Sequence, residues 1–278
     1  MNVLVLLPAS GHLSASLFCG SSRRPSAAAR FPWHAHSEAA AKDVADVVRR
    51  DLAETWLHGE TGVCPDAVGV RVPYGGRDFA GATRLTQAAL ERLRRVGGDA
   101  PLHIPPLVRS LEACLSAFPR TPVLLAFETA FFSRLPVQET AYGLAPESTS
   151  PASPSRVGFH GLFHAAACAH AAAELRASGL ARPARLLSIC LEPRPEVAAV
   201  HGQTPWMVTG GATPLEGLPG HTTCGEIDPS VVLFLAEHLR AGPEQIDRML
   251  TRQSGLLGLV GRPVTLDALW REERPHLR

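Results

Sequence analysis

The chain has 278 residues, 45% of them hydrophobic, and a formal net charge of +1. That length and apolar content suit one large or two medium domains with a true core. A charge so near zero creates no global field that would select nucleic acid or an anionic membrane, so neither is expected as a partner.

Lys42 is the only lysine, so no other lysine is available as a phosphate clamp or Schiff base. The six cysteines, from Cys19 to Cys224, are scattered and form no CxxC pair. Reduced thiols are expected rather than a disulfide framework or a zinc knuckle. The opening MNVLVLLPASG carries no positive charge and is broken by Pro8, which predicts a first strand rather than a signal peptide. No apolar run approaches the ~20 residues of a membrane span, and a cytoplasmic location is expected.

Asn2–Leu7 predicts a strand, the turn Pro-Ala-Ser-Gly follows, and Leu13, Ala15 and Leu17 alternate as a second strand. Residues 20–36 have loop composition. Ser37 is placed to cap a helix with the stripe Val44, Val47, Val48, Leu52 and Trp56. Val68, Val70 and Val72 alternate as a strand, a helix is expected over Thr83–Val96, and another after Pro105-Pro106 as far as Phe118. Thr121–Phe127 has the apolar character of a buried strand. Residues 145–155 (APESTSPASPS) have linker composition. Beyond them come a helix over Phe163–Ala177, strands at Leu186–Leu191 and Val197–Val200, and a helix opened by Asp228-Pro229 and running through Leu239. Strands interleaved with helices predict an α/β protein with a boundary near residue 150.

Six segments in order, VGVRVPYGG (68–76), APLHIP (100–105), FETAF (127–131), RVGFHGLFH (156–164), TPLEGLPGHTTCGEIDP (213–229) and RQSGLLGLVG (252–261), resemble the acetate kinase family. The resemblance implies an actin-like, two-domain fold of ribonuclease-H-like lobes: residues 1–150 form the first and 151–278 a second, incomplete one. It also implies phosphoryl transfer from ATP, with Mg2+, to a small carboxylate, acetate.

On the same resemblance, Arg71 matches the arginine that pairs with the acetate carboxylate, and His160 in GFHG the histidine that supports the transferring phosphoryl group. Glu128 stands where the family has an aspartate, one methylene longer. Leu102, Phe159 and Pro214 match the apolar pocket for the acetate methyl, and Pro73 replaces that pocket's valine.

The departures fall on the nucleotide side. In the first phosphate turn, Leu7 replaces a metal-associated asparagine, Ser14 replaces a lysine, and Pro8 removes a backbone N–H. The second phosphate loop corresponds to Cys190-Leu191-Glu192-Pro193-Arg194. Such a loop works by aiming amides at phosphate oxygens, with glycines allowing close approach. Thr223 replaces the second arginine, Ile104 replaces an asparagine, and the chain ends soon after SGLLGLVG, before the adenosine-binding section of the family. The expectation is an acetate-kinase-like protein with severely impaired turnover. The alternative is a non-catalytic carboxylate-binding or subunit-interaction protein, with a partner or second copy covering the incomplete lobe. His160, His164 and Cys168 also recur at helical spacing, the one zinc constellation worth weighing, although Gly161 argues that the helix starts after His160.

Overall fold

Alternate side chains of the first apolar run are buried, as a strand covered on one face requires. Leu4 and Leu6 of β1 (Asn2–Pro8) and Leu13, Ala15 and Leu17 of β2 (His12–Cys19) are at most 1% exposed. The computed structural model describes residues 1–9, 12–32, 45–97, 104–145, 154–180, 182–192 and 194–272. It divides into two units, Met1–Ser133 and Arg134–Arg278.

The first unit is built on a six-stranded sheet in the order β3 (Ala27–Pro32), β2, β1, β4 (Ala67–Val72), β6 (Val123–Phe127), β5 (Thr83–Arg84). β4 (Ala67–Val72) runs parallel to β1 on one side and to β6 (Val123–Phe127) on the other, while β2 is antiparallel to β1. Val68, Val70 and Val72 point into the core, against α1 (Val47–Thr61), α2 (Gln87–Val96) and α3 (Ile104–Ala117). Each fully buried leucine in that core, such as Leu52, Leu93 or Leu111, contributes roughly 1.5–3 kcal/mol. Val47, Val48, Leu52 and Trp56 form the buried stripe of α1, which is wound in the π form; the proposed cap Ser37 and Val44 lie outside the described residues.

Two local expectations are corrected. Within 20–36, read as loop, β3 (Ala27–Pro32) pairs antiparallel with β2. Ladder bonds use the backbone, so a segment of mostly small residues can be recruited as an edge strand without an apolar signature. The helix expected from Thr83 begins only at Gln87. Thr83–Arg84 is a short strand, β5, antiparallel to β6, and Thr86 Oγ1 caps α2 by accepting the Ala89 amide at 3.1 Å.

The second unit holds a three-stranded antiparallel sheet of β7 (Arg185–Cys190), β8 (Glu196–His201) and β9 (Thr204–Val208). The short α4 (Val137–Thr140) precedes α5 (Gly161–Ala177), which packs against β7. In β7 the alternation is inverted: Ser188 and Cys190 are buried while Leu187 is 72% and Ile189 52% exposed. Asp228 Oδ1 accepts the Ser230 amide at 2.8 Å and opens α6 (Pro229–His238) as the Asp-Pro pair predicts. α7 (Pro243–Arg252), α8 (Gly255–Val260) and α9 (Leu266–Arg271) complete the unit. No described helix is long and apolar enough to cross a membrane. Most of the 145–155 stretch lies outside the described residues.

One close approach fixes how β4 leads into the following turn. Phe79 stacks on Phe127 with ring centroids 4.3 Å apart, and a Cβ on Gly75 would sit 2.6 Å from Phe127 Cδ1. Gly69, within β4, has nothing within 4 Å of its Cβ position. Gly75→Ala should therefore destabilise the protein by about 1–3 kcal/mol, and Gly69→Ala should stay within ~0.5 kcal/mol. Urea unfolding measures both, and equal effects would contradict the packing described.

Candidate functional site

Parallel strands β4 and β6 pair Arg71 with Ala126 and Val72 with Phe127, and the Glu128 amide donates to the Val72 carbonyl at 2.9 Å as the chain leaves β6. The two strands thus bring Arg71 and Glu128 side by side at their carboxyl ends, the edge where α/β sheets form ligand clefts. Arg71 Nε donates to Glu128 Oε1. The Glu128 side chain is 8% exposed and that of Arg71 33%, so the carboxylate is a buried anchor and part of the guanidinium still faces solvent. Thr129 Oγ1 accepts the Gly75 amide at 3.0 Å, tying the turn after β4 to the same corner.

The second unit brings Phe159, His160 and Pro214 around one recess, together with Arg194, Glu196 and Gly210. It is nearly full, with about 10 Å³ of free volume. His160 sits just before α5 in the left-handed region, at φ 52°, and Gly158 at φ 63° makes the same turn. Leu102 lies outside the described residues.

The group that dominates this recess is one that the sequence reading missed. Glu196 is 4% exposed, its Oε2 accepts the Phe159 amide at 2.9 Å, and its Oε1 lies 3.3 Å from His164 Nε2. His164 is fully buried, and its Nδ1 is 2.7 Å from Ser188 Oγ. Both ring nitrogens of His164 face protein partners, which removes it from the zinc constellation; α5 does start at Gly161, after His160. Among the described residues no group of three His, Cys, Asp or Glu side chains could hold a metal ion.

Burial pushes the Glu196 carboxyl above its ordinary value, against the opposing pull of the His164 contact, the Phe159 amide and the Arg194 charge. Burial also raises the Cys168 thiol, although a hydrogen bond with Ser188 works the other way. Beside the recess, Arg156 Nη2 donates to Glu216 Oε1 at 2.7 Å, and Tyr142 donates its hydroxyl to Glu216 Oε2. Burial and that bond push Tyr142 up to about 12. The signal for Glu196 was present in the sequence: period-2 alternation puts it on the same face of β8 as buried Ala198 and Val200.

Two of the sequence motifs also meet here through their backbones. The Ser254 amide donates to Thr222 O at 3.0 Å and the Leu256 amide to Gly220 O at 2.9 Å, joining RQSGLLG to GHTTCG.

Comparison with known proteins decides the ancestry. The model of the acetokinase family matches residues 27–273. The chain belongs to that family. An acetate kinase of Clavibacter michiganensis is 36% identical over 197 residues, which are 71% of this chain and 49% of that protein. The crystal structure of the Porphyromonas gingivalis acetate kinase matches with a TM-score of 0.80 at 23% identity, covering 97% of this chain and 72% of that one. A propionate kinase from Francisella tularensis matches with a TM-score of 0.78 at 25% identity, covering 94% and 71%. The α/β fold is therefore that of the acetokinases, and the chain spans about half the length of the curated relatives it matches.

A carboxyl whose folded-state pKa is raised holds its proton more tightly when folded. Its stabilising contribution is complete below the unfolded value, 4.5 for Glu196, and is lost as pH rises through the raised value. Glu196→Gln removes that dependence. The unfolding free energy of the variant minus that of the parent should grow as pH rises above about 4.5 and then level off. Urea unfolding across pH measures it, and a pH-independent difference would contradict a carboxylate held against burial.

Proposed function

We propose that this acetokinase relative keeps the carboxylate-binding side of an acetate kinase site and transfers phosphoryl groups from ATP only with severe impairment. Arg71 is the carboxylate-binding group, held by Glu128. Phe159, His160 and Pro214 are the substrate-side groups of the second unit.

The carrying observation is the chemistry of the segment aligned with the second phosphate loop and of the two residues that follow it, Pro195 and Glu196. Glu192 Oε2 lies 3.1 Å from His221 Nε2, and Glu196 takes the Phe159 amide. Pro195 carries no N–H to offer. Phosphoryl transfer relies on positioning and on positive charge around the phosphate oxygens. Two carboxylates and a proline supply the opposite of what a polyphosphate needs. At the first turn, Pro8 likewise closes β1 without an amide, and Leu7 is 37% exposed where a polar metal-side group would stand. These residues do not fit a nucleotide with its magnesium ion.

Each missing element is costly. An arginine on the transferring phosphoryl group is worth ~10³-fold or more in rate, and Thr223 has no charge to offer at that position. A single lost oxyanion donor costs ~10²–10³-fold.

A hydroxamate assay for acetyl phosphate with ATP, Mg2+ and acetate should give a rate at least ~10³-fold below that of a complete acetate kinase run alongside. Calorimetric titration should detect no micromolar nucleotide binding. Turnover within tenfold of the complete enzyme would overturn the proposal.

A further inference from the structure

Among the described residues, β7 is an outer strand of the second unit's sheet, paired on one side only. Two bonds nearby fix the direction of its backbone groups. The Ala184 carbonyl accepts the Gly202 amide at 2.7 Å, and the Val197 carbonyl accepts the Thr209 amide at 3.0 Å. Groups alternate in direction along a strand. Those of Ala184, Leu186 and Ser188 therefore face β8, and those of Arg185, Leu187 and Ile189 face an edge that no described strand occupies. In the first unit the corresponding edge is filled: β1 opens a meander of β1, β2 and β3, and its other side carries β4. Open edges are ordinarily blunted by charge, proline or a bulge. Between Leu186 and Cys190, β7 has none of these, and Leu187 and Ile189 are 72% and 52% exposed.

We propose that β7 pairs with β7 of a second copy of this chain, antiparallel about a two-fold axis at Ser188. A two-fold contact needs a surface that complements itself, and this edge does. Leu187 of each copy lies opposite the partner's Ile189, so the two exposed aliphatic side chains cover each other twice on one face of the sheet. These are also the residues whose backbone groups point outward, so main-chain bonds and side-chain pairs fall in one register. Charge selects the same direction. Arg185 opens β7 and Glu192 follows its other end; both are exposed, and Arg194 is turned onto the Pro214 carbonyl. Antiparallel pairing carries each Arg185 toward the partner's Leu191 and Glu192, whereas parallel pairing in register sets like charges side by side. The product is a continuous sheet running β9-β8-β7 and on through its copy. The proposal rests on one strand edge and does not depend on phosphoryl transfer.

Sedimentation equilibrium of the full chain should show monomer and dimer in exchange, with a dissociation constant on the order of 10 μM, as suits a small interface. Leu187→Lys and Ile189→Glu should each weaken it about tenfold, because the symmetry loses two cross-strand pairs at once. The double variant L187K/I189E should recover to within about threefold of the parent, since opposite charges then face each other across the axis. Phe234→Ser, on the exposed apolar side of α6, should leave the constant unchanged. Circular dichroism checks the fold of each variant. Leu187→Thr with Ile189→Thr, which keeps strand propensity, stands in for any edge variant that does not fold and should weaken the dimer about tenfold. A parent that stays monomeric to ~100 μM, its edge taken by another polypeptide or by none, overturns the proposal. So do edge variants that leave the dimer unchanged, or a double variant weaker than either single one, which would contradict the register. A dimer lost in Phe234→Ser and kept in Leu187→Lys would place the contact on α6 and overturn it as well.

Discussion

A carboxylate removed from water must be given donors in return, and the second unit is arranged around one such carboxylate. Glu196 begins β8, the middle strand of the small sheet, and its side chain reaches the amide that precedes α5 and the first inward-facing histidine of that helix. Ser188 of β7 completes the chain of contacts behind His164. Strand, helix and the preceding loop are thereby joined by polar bonds where an apolar core is thin. This also accounts for the inverted pattern of β7. Its inward positions serve the polar contact, which leaves Leu187 and Ile189 outside.

The first unit follows a different logic. Its sheet has a large apolar core, and the polar pair Arg71–Glu128 sits at the edge of two central parallel strands. There the backbone register decides which side chains become neighbours. Arg71 is next to last in β4 and Glu128 is the first residue beyond β6, so the two can meet without distorting either strand. The stacked rings of Phe79 and Phe127, with the Arg92 guanidinium 4.5 Å above Phe79, brace that corner from beneath. The scaffold that presents Arg71 is therefore tied to the core itself.

Set against membership of the acetokinase family, these two solutions pull in opposite directions. On the proposed reading, the Arg71–Glu128 corner that would take a carboxylate coexists with glutamates and prolines where a polyphosphate would need amides and positive charge. A glycine-to-carboxylate change does more than delete a donor, because it adds repulsion toward the ligand and takes neighbouring donors for itself. Glu196, two residues past that loop, shows how a carboxylate takes a donor for itself, since it accepts the Phe159 amide.

Much of this was readable from residue order. A short apolar run marked β1, alternation marked β2 and β4, the Asp228-Pro229 pair marked the start of α6, and short motifs in the right sequence marked the family. These signals are local: a period of two, a cap, a turn. They are written in neighbouring residues and survive divergence. β3, β5 and β9 were not legible, because their pairing is by backbone and depends on which strand edge stands nearby. The pairing of Arg71 with Glu128 spans 57 residues, and that of Glu196 with the Phe159 amide spans 37. Composition and period cannot register contacts so distant in sequence. Only the packed chain decides whether a carboxylate meets solvent, a guanidinium or an amide, since that choice is set by burial and by which donors the fold carries to it.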